Sequence, residues 1–251
     1  MKLPTQNTPC FLAPAGSRPR CNRHSQQKVP AGGKCLSTML RAECFGASRP
    51  QQGRTANEDA FLIGRERPFA LLCDGAGNAQ QAAKRVLTLF DKLFKETAPQ
   101  QVSEHDTWAG WVKLLDSSLL GGTQSTFLGV ALLDGMAVGA CVGDSRAYLV
   151  TREGDCRLLT EGASKFRLGS GRAEAFPIRQ TMTSGEIILL LSDGAWTPLG
   201  PYLLKKAVMT AVARHLSDVP EAILEAAGRT GRADDMTAIA LRGSNSLKTQ
   251  E

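Results

Sequence analysis

The sequence predicts an α+β protein in which antiparallel sheets are covered by helices. Three observations carry that prediction: strand-like runs follow one another through hairpin turns, segments of helical period come in pairs, and no regular strand-helix-strand alternation runs along the chain.

From Met39 the pattern is regular. RAECFGA alternates as a half-buried strand, and DAFLIG and FALLC follow as two more. The period then changes: Val86, Leu89, Phe90, Leu93 and Phe94 recur at helical spacing, with Asn78 placed to cap the start. A second helix carries Trp108, Trp111, Val112, Leu115 and Leu119 on one stripe and ends near Gly121. Both stripes read as sheet-packing faces. TFLGVALL and MAVGACV form a hairpin about Asp134-Gly135, where glycine supplies the positive φ that the turn needs, and RAYLV and CRLL form another around Glu153-Gly154. The five apolar residues of IILLL read as a strand buried on both faces. Two helices follow, YLLKKAVMTAVARHL and PEAILEAA, the second opened by Pro220 and closed by Gly228, and TAIAL is the last strand.

Composition sets bounds on what such a fold can do. The chain has 251 residues, 42% hydrophobic and 22% charged, which suits one substantial core. No apolar run approaches the roughly twenty residues of a membrane span, and the N-terminus lacks a secretory apolar block, so a soluble cytoplasmic protein is expected, with no membrane partner. Seven scattered cysteines are expected as free thiols. Cys10, Cys21, His24 and Cys35 are too loosely spaced to favour a zinc site.

The net charge of +6 sits in one place: residues 1–38 hold six basic residues and no acid, and the remaining 24 basic residues balance 24 acidic ones. A neutral body argues against a nucleic-acid partner. The leader, 1–38, reads as disordered and is open to three readings: a basic interaction tail, a transit peptide, or sequence upstream of a true start at Met39. A catalytic domain is expected over 39–243, with a disordered tail over 244–251.

Acids at strand ends are the chemical signal. Asp134-Gly135 is explained by its hairpin, but Asp74-Gly75 and Asp193-Gly194 follow the buried runs FALLC and IILLLS and so need another account. Glu58 and Asp59 precede AFLIG, Asp144 follows GACVG, and Asp234 and Asp235 precede MTAIAL. Any one of them could cap a turn. If the strand ends converge, the carboxylates repel and raise one another's pKa, a conflict that a cation resolves; a donor set of oxygens alone selects hard ions such as Mg²⁺ or Mn²⁺.

The blocks RTANEDA, CDGAGN, VGDSRAYL, LLLSDGAW and DDMTAIAL, in this order, resemble the signatures of the metal-dependent protein phosphatases, the protein phosphatase 2C family, especially its bacterial members. The resemblance covers residues 41–241. It implies a four-layer αββα sandwich, two central antiparallel sheets flanked by helix pairs, with two Mn²⁺ or Mg²⁺ ions at one end. By match to those blocks, Asp74 bridges both ions, Asp193 and Asp234 complete one, and Glu58 with the Gly75 carbonyl holds the other. Asp144, with Asp193, matches the position of a third, weaker ion. Asp59 matches an acceptor that orients metal-bound water, and Arg54 the guanidinium that clamps the phosphate.

The same resemblance implies a serine/threonine protein phosphatase. A water bridging the metals attacks phosphorus directly, the substrate is a phosphorylated protein, and the enzyme opposes a bacterial Ser/Thr kinase as a monomer. A non-catalytic phosphoprotein-binding module and a phosphohydrolase of another phosphoester are the alternatives.

Departures from the pattern are specific. Asn78 replaces a glycine of the family's DGxGG, and Ala76 stands where some relatives carry histidine. Asp234-Asp235 replaces a frequent Asp-Asn, and alignment on the following Met-Thr favours Asp234 as ligand. Only EGASKFR fills the place of a long flap segment. Arg167, Arg172 and Arg179 nearby read as solvated charges, His105 and His215 as surface or capping residues, and Arg146 as structural.

Overall fold

In IILLL, alternate side chains point to opposite sides of a strand, and both sides are apolar. The computed structural model, which describes residues 41–64, 66–76, 80–231 and 234–244, shows what lies on each side. Ile187, Leu189 and Leu191 pack under helices, while Ile188 and Leu190 face a second sheet. The expected cap Asn78, the leader with its cysteines, and residues 245–251 lie outside the described residues.

The strands are β1 (Arg41–Arg49), β2 (Asp59–Gly64), β3 (Phe69–Ala76), β4 (Gln124–Ser125), β5 (Phe127–Leu133), β6 (Met136–Val142), β7 (Arg146–Val150), β8 (Cys156–Leu158), β9 (Phe176–Thr181), β10 (Ile187–Leu191) and β11 (Met236–Ser244). The helices are α1 (Gln80–Glu96), α2 (Pro99–Val102), α3 (His105–Leu119), α4 (Asp193–Trp196), α5 (Pro201–Val212) and α6 (Val219–Gly228), with a 3-10 turn at Leu216–Asp218. One sheet has the order β1-β11-β10-β7-β8 and the other β2-β3-β5-β6-β9, with β4 paired to β3. Every pairing is antiparallel.

Three apolar layers follow from the alternation. Phe69, Leu71 and Cys73 of β3 pack with Val86, Phe90 and Phe94 of α1 and with Trp108, Trp111 and Leu115 of α3. Ala70 and Leu72 of the same strand turn the other way and meet Leu190 and Ile239 between the sheets. Leu204 and Val208 of α5 and Ile223 and Leu224 of α6 cover the outer face of the other sheet. Each fully buried leucine or isoleucine contributes roughly 2 kcal/mol on leaving water. The result is the αββα sandwich, two antiparallel sheets flanked by helices.

Differences from the expected elements are local. β9 contains Pro177, and it lies at the sheet edge, where a missing N–H is tolerated. α5 stops at Val212 rather than running on to Leu216. The four described cysteines, Cys44, Cys73, Cys141 and Cys156, are free. Among the described residues no helix is long and apolar enough to cross a membrane.

Candidate active site

Carboxylates gather where β3, β6 and β10 end, and buried hydroxyls set their spacing. The Asp74 N–H donates to Thr126 Oγ1 at 2.9 Å, and the Thr126 N–H returns a 2.8 Å bond to the Asp74 carbonyl. Thr126 Oγ1 also lies 3.0 Å from Ser145 Oγ, so β3 and the loop bearing Asp144 share one hydroxyl. Gly143 makes that loop possible: its φ is 95°, and a Cβ there would lie 2.8 Å from Thr126 Cγ2.

Asp193 opens α4 directly after β10, and Trp196 closes the same turn. The Trp196 indole N–H donates to the Asp144 carbonyl at 3.0 Å, and the Arg146 guanidinium stacks 3.4 Å from the indole ring. IILLLSDGAW therefore carries Asp193 to the sheet end and fixes Asp144 beside it. One oxygen from each of Asp74, Asp144 and Asp193 lies within 4.8 Å of the others. A cleft of about 490 Å³ opens from this cluster, lined among others by Asp144, Asp193, Trp196, Arg146, Glu161 and Lys165.

Electrostatics in the cluster follow from burial and crowding. The Asp74 carboxyl is raised to about 7, chiefly by burial, with the Arg167 guanidinium holding it down and Asp193 and Asp144 adding to the rise. Asp193 is raised by burial, then by Asp144 and Asp234. Asp59 is raised to about 8 by burial and by Asp74, its neighbour across β2 and β3, against hydrogen bonds from Thr237 and Ser192. Asp59 Oδ2 is buried with no hydrogen-bond partner among the described residues.

Asp234 and Asp235 face different tasks. Asp235 is buried, and its two oxygens accept the N–H groups of Gln51 and Glu58, each at 2.6 Å, which fastens the loop before β2. Asp234 is exposed and lies against Gly194, near enough to raise Asp193. Glu58 lies beside Gly75, whose N–H donates to its carbonyl at 3.2 Å. Arg54 sits on the loop that Asp235 fastens; its side chain is exposed and makes no hydrogen bond or ion pair with a described residue. Glu58, Asp59 and Asp234 flank the three converging acids rather than join them.

Arg167 corrects the sequence reading. Instead of lying in solvent it inserts into the cluster, with Nη2 at 3.3 Å from Asp144 Oδ1 and 3.5 Å from Asp74 Oδ2. Arg172 stacks on exposed Phe166, and Arg179 donates to the Ser103 carbonyl at 3.0 Å. Thr126, Ser145 and Trp196 also escaped the sequence reading. Each bonds a residue distant in the chain, so no local spacing announces it.

The donor set fits a hard divalent ion: three carboxylates with oxygens close enough to share small cations, in a site whose crowded negative charge favours one. No family model matches the chain, and no curated protein sequence matches it. Solved structures do. The catalytic domain of the serine/threonine protein phosphatase PstP, determined with two manganese ions, superposes with a TM-score of 0.70 at 20% identity, over 82% of this chain and 100% of that one. The chain has the phosphatase 2C fold. The S. agalactiae serine/threonine phosphatase gives 0.69 at 19%, over 81% and 100%. The PP2C phosphatase domain in SpoIIE from Bacillus subtilis gives 0.66 at 18%, over 82% and 64%.

Proposed function

We propose that the chain is a metal-dependent phosphatase acting on phosphoserine and phosphothreonine in proteins. The observation that carries this reading is the convergence of Asp74, Asp144 and Asp193 at the end of a sandwich whose fold is that of serine/threonine phosphatases. Asp74, Asp193, Asp234, Glu58 and the Gly75 carbonyl would hold two Mn²⁺ or Mg²⁺ ions, with Asp144 and Asp193 serving a third. Such ions, when bound, offset the charge of a phosphoryl group and supply an acidified water for direct attack on phosphorus.

The chain's own groups take the remaining tasks. Arg54 has an uncommitted guanidinium on a loop whose backbone Asp235 fixes, and a planar fork of that kind grips two phosphoryl oxygens. Asp59 offers a buried acceptor in Oδ2 and is itself oriented by Ser192 and Thr237. The cleft beside Asp193, lined in part by Glu161, Gly162, Ala163 and Lys165, leaves room for the peptide that bears the phosphate. A kinase-opposing role, as a cytoplasmic monomer, completes the proposal.

Purified protein is expected to hydrolyse a phosphothreonine peptide with Mn²⁺ and to stop in EDTA. Turnover that survives EDTA would overturn the reading. Tight phosphopeptide binding without turnover in Mn²⁺ would make the chain a binding module, and faster hydrolysis of nucleotides than of phosphopeptides would assign it another phosphoester.

A further inference from the structure

The segment over residues 161–167 ends in a residue fastened against the acidic cluster. Arg167 Nη2 contacts Asp144 and Asp74 at 3.3 and 3.5 Å, and Nη1 donates to the Asp74 carbonyl at 3.3 Å; the side chain is only 18% exposed. Its neighbour Leu168 is fully buried and pairs with Ser125 through bonds of 2.9 and 3.2 Å. Immediately after, the N–H groups of Gly169 and Gly171 both donate to Asp116 Oδ1, at 2.7 and 3.2 Å, on a buried carboxylate of α3. Gly169 has a φ of 88°, and a Cβ there would stand 2.7 Å from the Thr123 carbonyl, so this path belongs to glycine. Ser125 adjoins Thr126, which holds Asp74. Arg167 and Asp74 are thus referenced to the same two residues, and the guanidinium is positioned rather than draped.

We propose that Arg167 takes the electrostatic place of one divalent ion, neutralising the Asp74 and Asp144 side of the cluster so that an ion held by Asp144 must displace it. The inference rests on the metal-dependent reading above. A fixed positive charge among three carboxylates offsets their repulsion without any ion, and it competes for the same oxygens when an ion arrives. Binding on the Asp144 side and retention of Arg167 are therefore mutually exclusive, and the two are linked as any competing pair is linked.

The test is a double-mutant cycle read by Mn²⁺ titration calorimetry and by melting of chelator-treated protein. Arg167→Gln is expected to tighten the weakest Mn²⁺ step roughly tenfold, within the usual range for coupled sites, and to lower the metal-free melting temperature. Adding Asp144→Asn should erase the gain, and Arg167→Lys, which keeps the charge, should bind Mn²⁺ within about threefold of the parent. A gain that survives Asp144→Asn overturns the proposal, as does Arg167→Gln binding Mn²⁺ no tighter than the parent. Arg167→Lys tightening as much as a neutral residue also overturns it, and that variant keeps the test open if Arg167→Gln does not fold. The readouts are binding and stability, so absent phosphopeptide turnover would overturn the phosphatase reading alone and leave this coupling to be judged by its own measurement.

Discussion

At Asp134-Gly135 both residues have positive φ, 45° and 78°, and a Cβ on Gly135 would meet nothing within 4 Å. At Asp193-Gly194 the same dipeptide begins a helix, and a Cβ on Gly194 would stand 2.1 Å from the Asp235 carbonyl oxygen. The first glycine is there for its backbone, since the right-handed twist of a hairpin demands a turn that only glycine and a few polar residues enter easily. The second is there for its absent side chain, because β11 must begin against it. The far end of β5 carries a turn, whereas the near end of the sandwich carries a site. What separates two identical dipeptides is whether another segment packs against the glycine.

The largest expected effect concerns pH at the site end. Asp59, raised to about 8, and Asp74, raised to about 7, keep protons in the folded state that the unfolded chain has already released. Metal-free stability should therefore be greatest near pH 4 and fall toward pH 8, by up to about 1.4 kcal/mol per pH unit for each such carboxyl. Urea unfolding of chelator-treated protein between pH 4 and 9 measures the slope, and Asp59→Asn should flatten it. Next, Asp193→Ala is expected to lower phosphopeptide turnover by roughly two to three orders of magnitude, whereas Asp134→Ala should change it by less than about twofold. Gly194→Ala should cost about 3 kcal/mol through overlap with the β11 backbone, against about 1–2 kcal/mol for Gly135→Ala, which only strains a turn; denaturant midpoints separate the two. The smallest contrast sharpens the site end itself. Asp235→Ala should lose about 2 kcal/mol of stability with its two backbone hydrogen bonds, while Asp234→Ala should change stability by under about 0.5 kcal/mol and weaken Mn²⁺ binding in titration calorimetry.

Most of the sandwich is written in local pattern. FALLC and IILLL are apolar on both faces because each strand lies between a helix layer and a second sheet, and the stripes of α1 and α3 show which sides they bury. β9 was hidden because Pro177 argues against a strand unless the strand is known to be an edge. α4 was hidden because four residues carry no period. For the site, an acid directly after a buried run is a local signal, and Asp74, Asp144 and Asp193 gave it. Arg167 gave none: its partners lie 93 and 23 residues away. Alignment on Met-Thr favoured Asp234 as the ligand, but the task of Asp235 was unreadable, since it depends on the distant N–H groups of Gln51 and Glu58.

The place of β11 has a consequence for biosynthesis. Among the described residues, β1 joins its sheet only through β11, and Asp235, just ahead of that strand, holds the loop that bears Arg54 and Glu58. A nascent chain thus carries β1 unpaired and that loop unfastened until β11 has left the ribosome. Products truncated before Met236 should expose β1 to aggregation and accumulate no competent centre, so that maturation waits on the synthesis of β11.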